Sequence, residues 1–127
     1  MRRILVGTDL SPTAERAVSW AADMAARYEA ELILLRVVTN GTSKDTAEAE
    51  LRAYAAGIAP DARPLVKEAE DPAEAIVAAI ASEEVDVVVV GSVGMRGRRT
   101  FLLGNVPNRV SHGAGCTVVI VNTADAA

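Results

Sequence analysis

Ile4-Leu5-Val6-Gly7-Thr8-Asp9-Leu10-Ser11-Pro12 decides the fold. An apolar run ends at a glycine, and a serine then stands directly before a proline. The run reads as a short strand. Ser11 is placed as a helix N-cap, where its hydroxyl can accept from a free backbone N–H. Pro12 takes the first helical position, where a missing N–H costs little. Ala14, Ala17, Val18, Ala21, Ala25 and Tyr28 follow at helical spacing, with Glu15, Arg16, Ser19, Asp23 and Arg27 on the other face.

The alternation continues outward from this unit. Leu32 to Val38 is a second strand, and Thr39 to Ser43 a polar loop. Ala47, Leu51, Ala55 and Ile58 mark a second helix, with Gly57 near its end. Ala62 to Val66 is a short third strand, and Pro64 within it requires an edge position because proline cannot donate to a ladder. Asp71-Pro72-Ala73-Glu74 opens a third helix with an acidic analogue of the capping box. Ala73, Ile76, Val77 and Ile80 form its apolar face. Val85 to Val90 is a nearly unbroken valine strand. Leu103 to Val110 reads as a last helix opened by Gly104-Asn105, and Thr117 to Val121 as the last strand. Residues 1–123 make one domain, and 124–127 a frayed tail. Strands apolar on both faces are buried on both faces, as in parallel sheets covered by helices, and each helix supplies the crossover that a parallel pair needs. The expected class is α/β: a three-layer sandwich around a doubly wound, five-stranded parallel sheet.

At 127 residues the chain has the usual length of one domain and can bury a real core without staples. Trp20, Tyr28, Tyr54 and Phe101 are the only aromatics, so there is little material for stacking nucleic-acid bases. A net charge of −4 argues further against a nucleic-acid or membrane-surface partner. Cys116 is the sole cysteine, which excludes an intrachain disulfide and fits a reducing cytoplasm. Met1 to Gly7 carries two arginines but too short an apolar run for a signal peptide. No stretch approaches the roughly 18 apolar residues of a membrane span. A cytoplasmic protein is expected.

In doubly wound sheets ligands bind beyond the carboxyl ends of the strands, where the strand order reverses. The first strand runs into Gly7-Thr8-Asp9, and the fourth into Gly91-Ser92-Val93-Gly94 and then Met95 to Leu103. If these strands are neighbours, the two ends face each other; spacing alone leaves that adjacency open. Gly91 and Gly94 permit close approach of a ligand to the backbone. Free N–H groups at a helix start at Gly104-Asn105 would favour a phosphate. Arg96, Arg98 and Arg99 add positive charge between them. The alternative is a glycine-rich surface turn with solvated arginines. Neither GxxxxGK[ST] nor GxGxxG is present.

Gly91-x2-Gly94-x9-Gly104 resembles the G-x2-G-x9-G-[S/T] nucleotide-binding motif of the universal stress proteins. Ile4 to Ser11, Leu34 to Val38, Val87 to Ser92 and Cys116 to Val121 are also similar to that family, so the resemblance spans Met1 to about Thr123. It implies the strand order 3-2-1-4-5 and an ATP site. In that site Asp9, with Thr8 beside it, meets the ribose or helps to hold a Mg²⁺ ion with the phosphates. The backbone at Val37 reads the adenine edge. Gly91 lies against the ribose and Gly94 against the phosphates, and the N–H groups of Gly104, Asn105 and Val106 hold the terminal phosphates. It further implies a homodimer through the last strand, Thr117 to Val121. The chain departs from the pattern at Asn105, where Ser or Thr is usual, and at Val93, where a polar residue is common. Pro107 removes a backbone donor in the first helical turn.

The remaining reactive groups read plainly. His112 falls in a last helical turn, where a cation suits the dipole. Cys116 is a small hydrophobe at the start of a buried strand. With one histidine and one cysteine no zinc cluster is available. Glu68, Glu70, Asp71 and Glu74 form a solvated surface around a helix start. No catalytic residue and no protein-held metal is assigned. The expectation is a nucleotide-binding regulator acting in a stress response, through an unnamed protein partner. A slow ATPase or phosphoryl-transfer enzyme lacks an evident base or Walker lysine. A dimerisation module that has lost its ligand is supported only by Asn105 and Pro107.

Overall fold

The structure, a computed structural model, describes residues 2–38, 41, 43–92 and 106–122. In chain order the elements are β1 (Arg3–Gly7), α1 (Pro12–Tyr28), β2 (Glu31–Val38), α2 (Lys44–Ile58), β3 (Arg63–Glu68), α3 (Pro72–Ser82), β4 (Val87–Gly91), α4 (Val106–Gly113) and β5 (Thr117–Val121). The strands form one sheet in the order β3-β2-β1-β4-β5, and every neighbouring pair is parallel.

Alternation along each central strand sends side chains to two separate cores. Ile4 and Val6, Leu32 and Leu34, and Val87 and Val89 point to the face covered by α1 and α2. Leu5, Ile33, Leu35, Val88 and Val90 point to the face covered by α3 and α4. This two-sided burial explains the unbroken apolar runs. Ala17, Ala21 and Ala25 of α1 and Ala47 and Ala55 of α2 are buried with Val18 and Leu51, so small side chains bring both helices close to the sheet.

Local signals set the helix ends. The Ser11 hydroxyl accepts from Ala14 N–H at 3.2 Å with Pro12 in the first turn, as expected. Glu29, at φ 53°, closes α1 in the left-handed region. Ser43 caps α2 by accepting from Thr46 N–H at 3.3 Å, which starts that helix at Lys44, ahead of the apolar positions that revealed it. β3 runs to Glu68, later than the expected Val66, and is an edge strand as Pro64 requires. β4 starts at Val87 rather than Val85 and runs through Gly91. Tyr28 does not share the buried face of α1, being 53% exposed. Tyr28 is the last residue of α1, beyond Ala25, the last buried position of that helix. The expected tail from 124 lies outside the described residues.

At the amino-terminal edge of the sheet Glu31 receives Arg3 at 3.0 Å and Arg63 at 3.2 Å, and Arg63 also reaches Glu83 at 2.6 Å. Asp86 accepts the backbone N–H groups of Arg2 and Arg3, each at 2.9 Å. The Arg63 guanidinium holds Glu83 below its ordinary carboxylate range, and the two backbone donors do the same for Asp86.

Two outcomes are expected. Leu51→Ala empties a fully buried site and should lower unfolding free energy by about 2–5 kcal/mol in urea titrations. Glu83 and Asp86 have folded values below their unfolded ones. Their contribution is therefore present above the unfolded carboxylate range and is lost as pH falls through the folded values. The urea midpoint should drop between about pH 5 and pH 3, and Asp86→Asn should flatten that drop.

Candidate functional site

The order in which strands are added reverses between β1 and β4, because the chain moves from β1 out to β3 and then returns past β1 to β4. Ile4 pairs with Val87, Leu5 with Val88 and Val6 with Val89. The pairing ends there, and Thr8 and Gly91 each follow two residues later in the chain. On the other flank Gly7 pairs with Leu35, and Thr8 N–H donates to the Leu35 carbonyl at 2.9 Å. Val37 lies two residues beyond Leu35 on β2. Thr8, Asp9, Val37 and Gly91 therefore occupy the carboxyl ends of three adjacent strands.

The turn that leaves β1 is held by its own side chains. Thr8, only 9% exposed, accepts Leu10 N–H on Oγ1 at 3.0 Å. Asp9 Oδ1 accepts Ser11 N–H at 2.9 Å. Leu10 has φ 67°, a left-handed conformation that costs a leucine roughly 1 kcal/mol or more. Its side chain packs against the α1–α2 core, which offsets that strain. Sequence spacing marks Thr8 and Asp9 but does not mark this backbone strain, since leucine carries no left-handed preference.

Gly91 is half-buried and pairs with Val121, and Ser92 N–H donates to the Val121 carbonyl at 2.8 Å. Val106 begins α4 and Pro107 is its second residue. The described helix is Val106–Gly113, so it runs beyond the expected end at Val110. Val110 anchors it, fully buried against the α3 face. Arg109 reaches Asp71 at 2.6 Å, and this guanidinium holds Asp71 below the ordinary carboxylate range. Asp71 also caps α3 by accepting from Ala73 N–H at 3.1 Å. The acidic run thus contains one structural member; Glu68, Glu70 and Glu74 are exposed as expected. Gly94, Gly104 and Asn105, with Val93, Arg96, Arg98 and Arg99, lie outside the described residues.

His112 lies in the last turn of α4 and is exposed. Cys116 is half-buried just before β5, and burial pushes its thiol upward, away from the reactive thiolate. Among the described residues no three His, Cys, Asp or Glu side chains converge as a metal site. Tyr54 of α2 also reaches this end of the sheet, close to Thr8, Asp9 and Glu15. The sequence reading treats it only as one of few aromatics. Its spacing from Leu51 places it beside the buried face but says nothing about which loop lies above it.

Comparison with known proteins adds the following. A model of the universal stress protein family matches residues 1–122. A universal stress protein of Mycobacterium tuberculosis is 32% identical over 145 aligned positions, covering 96% of this chain and 97% of that protein. A solved universal stress protein in complex with cAMP is 33% identical, with a TM-score of 0.73 and coverage of 96% of this chain and 97% of that one. The universal stress protein from Archaeoglobus fulgidus in complex with dAMP superposes with a TM-score of 0.70 at 22% identity, covering 94% of this chain and 97% of that one.

Proposed function

The chain belongs to the universal stress protein family, and on that premise we propose that it binds an adenine nucleotide, ATP by its motif, in the crevice beyond β1 and β4. The observation that carries this reading is the parallel pairing of β1 with β4, strands whose carboxyl ends lead into the Thr8–Asp9 turn and end at Gly91. It occurs in a chain 33% identical to a protein solved with cAMP. A doubly wound sheet offers its ligand crevice at that reversal.

In this reading Asp9 accepts from the ribose hydroxyls, with Thr8 shaping the turn beneath it. The backbone at Val37 meets the adenine edge, and Gly91 lies against the ribose. Gly94 approaches the phosphates. The N–H groups of Gly104, Asn105 and Val106 meet the terminal phosphates at the amino end of α4, where the helix dipole favours an anion. The donor set suits Mg²⁺ only as a companion of the nucleotide. One carboxylate, Asp9, stands at the turn, and Mg²⁺ is commonly held by one or two carboxylates together with substrate phosphates. When bound, such an ion would neutralise phosphate charge.

Magnitudes limit the affinity. Hydrogen bonds to charged groups contribute roughly 1.5–3 kcal/mol each, and association costs on the order of 4–15 kcal/mol. Roughly three or four backbone donors to phosphate barely offset that cost, so base and ribose contacts must supply the remainder. A dissociation constant in the roughly micromolar range follows. The bound nucleotide acts as a regulatory ligand in a cytoplasmic stress response, altering the surface offered to a protein partner. Among the described residues no helix is long and apolar enough to cross a membrane. The outer edge of β5, with Ile120 50% exposed and Val118, Val119 and Val121 half-buried, suits pairing with a second copy.

Mass spectrometry of the supernatant from denatured protein should detect an adenine nucleotide. Calorimetry should give roughly micromolar binding of ATP with Mg²⁺, weakened at least about tenfold by Asp9→Ala and lost in Gly104→Val. Absence of heat for both ATP and cAMP at high micromolar concentration would sink the reading. Comparing those two ligands also tests Asn105 and Pro107, which bear on the terminal-phosphate end. For the assembly, Ile120→Glu should convert a dimer to a monomer in sedimentation equilibrium; an unchanged mass would place the interface elsewhere.

A further inference from the structure

α4 has eight residues, too few for a helix to hold itself together in water. Its direction is therefore set by what it touches, and its contacts are mainly with α3. Val110, past the middle of the helix, is fully buried in the core on the α3 side of the sheet. At the far end a Cβ on Gly113 would stand 3.2 Å from Val77, so the two helices meet closely there. Both anchors hold the later half of α4. Among the described residues it is Arg109 that holds the earlier half, reaching Asp71 at 2.6 Å.

The two oxygens of Asp71 divide their roles. Oδ1 accepts Ala73 N–H at 3.1 Å and caps α3, while Oδ2 takes Arg109 Nη1. One carboxylate thus joins the amino ends of two helices. Helix stability does not explain Arg109, because a cation near the start of a helix opposes the dipole. Global stability explains little of it either. The side chains of Arg109 and Asp71 are 48% and 31% exposed, and ion pairs so open to water add little to the fold. The geometric effect is what remains. The pair fixes the start of α4 against the start of α3, and α3 is seated on the sheet by buried Ala73 and Ile76.

We propose that Asp71 and Arg109 are positioning residues for the terminal-phosphate end of the nucleotide site, their ion pair fixing the direction in which the start of α4 presents its N–H groups. This deepens the nucleotide-binding reading above and rests on it. Backbone donors are useful to a phosphate only when they are aimed, and a short helix held at its far half alone aims them loosely. Both residues act through α4 rather than on the ligand.

The test uses the full chain and calorimetry, with ATP plus Mg²⁺ and cAMP as separate probes. Asp71→Ser keeps an oxygen that can cap α3 and removes the ion pair, and Arg109→Gln removes it from the other side. Each should weaken ATP by roughly 3- to 10-fold, less than the loss of one whole hydrogen bond to a charged group. The double variant should lose no more than about twofold beyond either single variant, because the two side chains act as one unit. cAMP, whose single phosphate closes back on the ribose, should change less than about twofold throughout. The ligand-free melting temperature should stay within about 4 °C in both single variants, as for a partly exposed ion pair. An ATP affinity that Asp71→Ser leaves unchanged overturns the proposal; if Arg109→Gln alone then weakens ATP, the arginine meets the phosphate directly. Equal losses for both probes, or a larger fall in melting temperature, overturn it as well, since general damage to the fold produces them. So does binding of cAMP without ATP by the unaltered protein, because no terminal phosphate is then held at α4. If the unaltered protein binds neither probe, the nucleotide reading itself has failed. ATP binding that both variants retain in full removes only the role of the ion pair.

Discussion

Parallel pairing of β1 with β4 requires the chain to pass back across its own first strand after building β2 and β3. A right-handed crossover then puts the later helices on the face opposite the earlier ones. Two cores follow from this, one under α1 and α2 and one under α3 and α4. The central strands lie between them and are apolar on both sides. The same pairing makes β1 and β4 neighbours, while α1 packs on one face of the sheet and α4 on the other. Doubly wound sheets bind their ligands beyond the strand ends at such a reversal.

The two ends of the sheet carry different burdens. The amino-terminal edge holds the Arg3–Glu31–Arg63–Glu83 ion-pair network and the Asp86 carboxylate that takes up two backbone donors. Networks of this kind contribute more than isolated surface pairs because each side chain is already restrained by its neighbours. The carboxyl-terminal edge holds the less comfortable features: a left-handed Leu10, and a buried Tyr54 hydroxyl without a partner among the described residues. Strain and unmet hydrogen-bonding capacity persist where the surrounding packing over-determines them. Here the packing is that of Leu10 and Tyr54 against the α1–α2 core.

Small side chains connect these features. Alanines at the buried positions of α1 and α2 let those helices sit close to β1 and β2. Close approach brings Tyr54 of α2 to the neighbourhood of the turn after β1. Arg109 and Asp71 perform an analogous service on the opposite face, joining α4 to the capped start of α3 at 2.6 Å. The start of α4, which bears the candidate phosphate donor Val106, is therefore tied to the sheet through α3.

Much of the architecture is legible from residue order alone, because helix and strand periods and caps are local properties. Ser11-Pro12 and Asp71-Pro72 place two helix starts, Pro64 places an edge strand, and the valine run identifies a strand buried on both faces. Boundaries are less legible: Ser43 caps α2 from within a polar loop, and Tyr28 fits the apolar period of α1 but is exposed at its end. Thr8, Asp9, Val37 and Gly91 can be nominated from the glycine spacing and the family resemblance. Their adjacency cannot be read from spacing, since the strand order is settled by which long crossover packs on which face. The partners of Tyr54 and the left-handed turn at Leu10 belong to tertiary structure for the same reason. They depend on how far a helix that begins more than 30 residues downstream leans over the end of β1, a distance that no local pattern encodes.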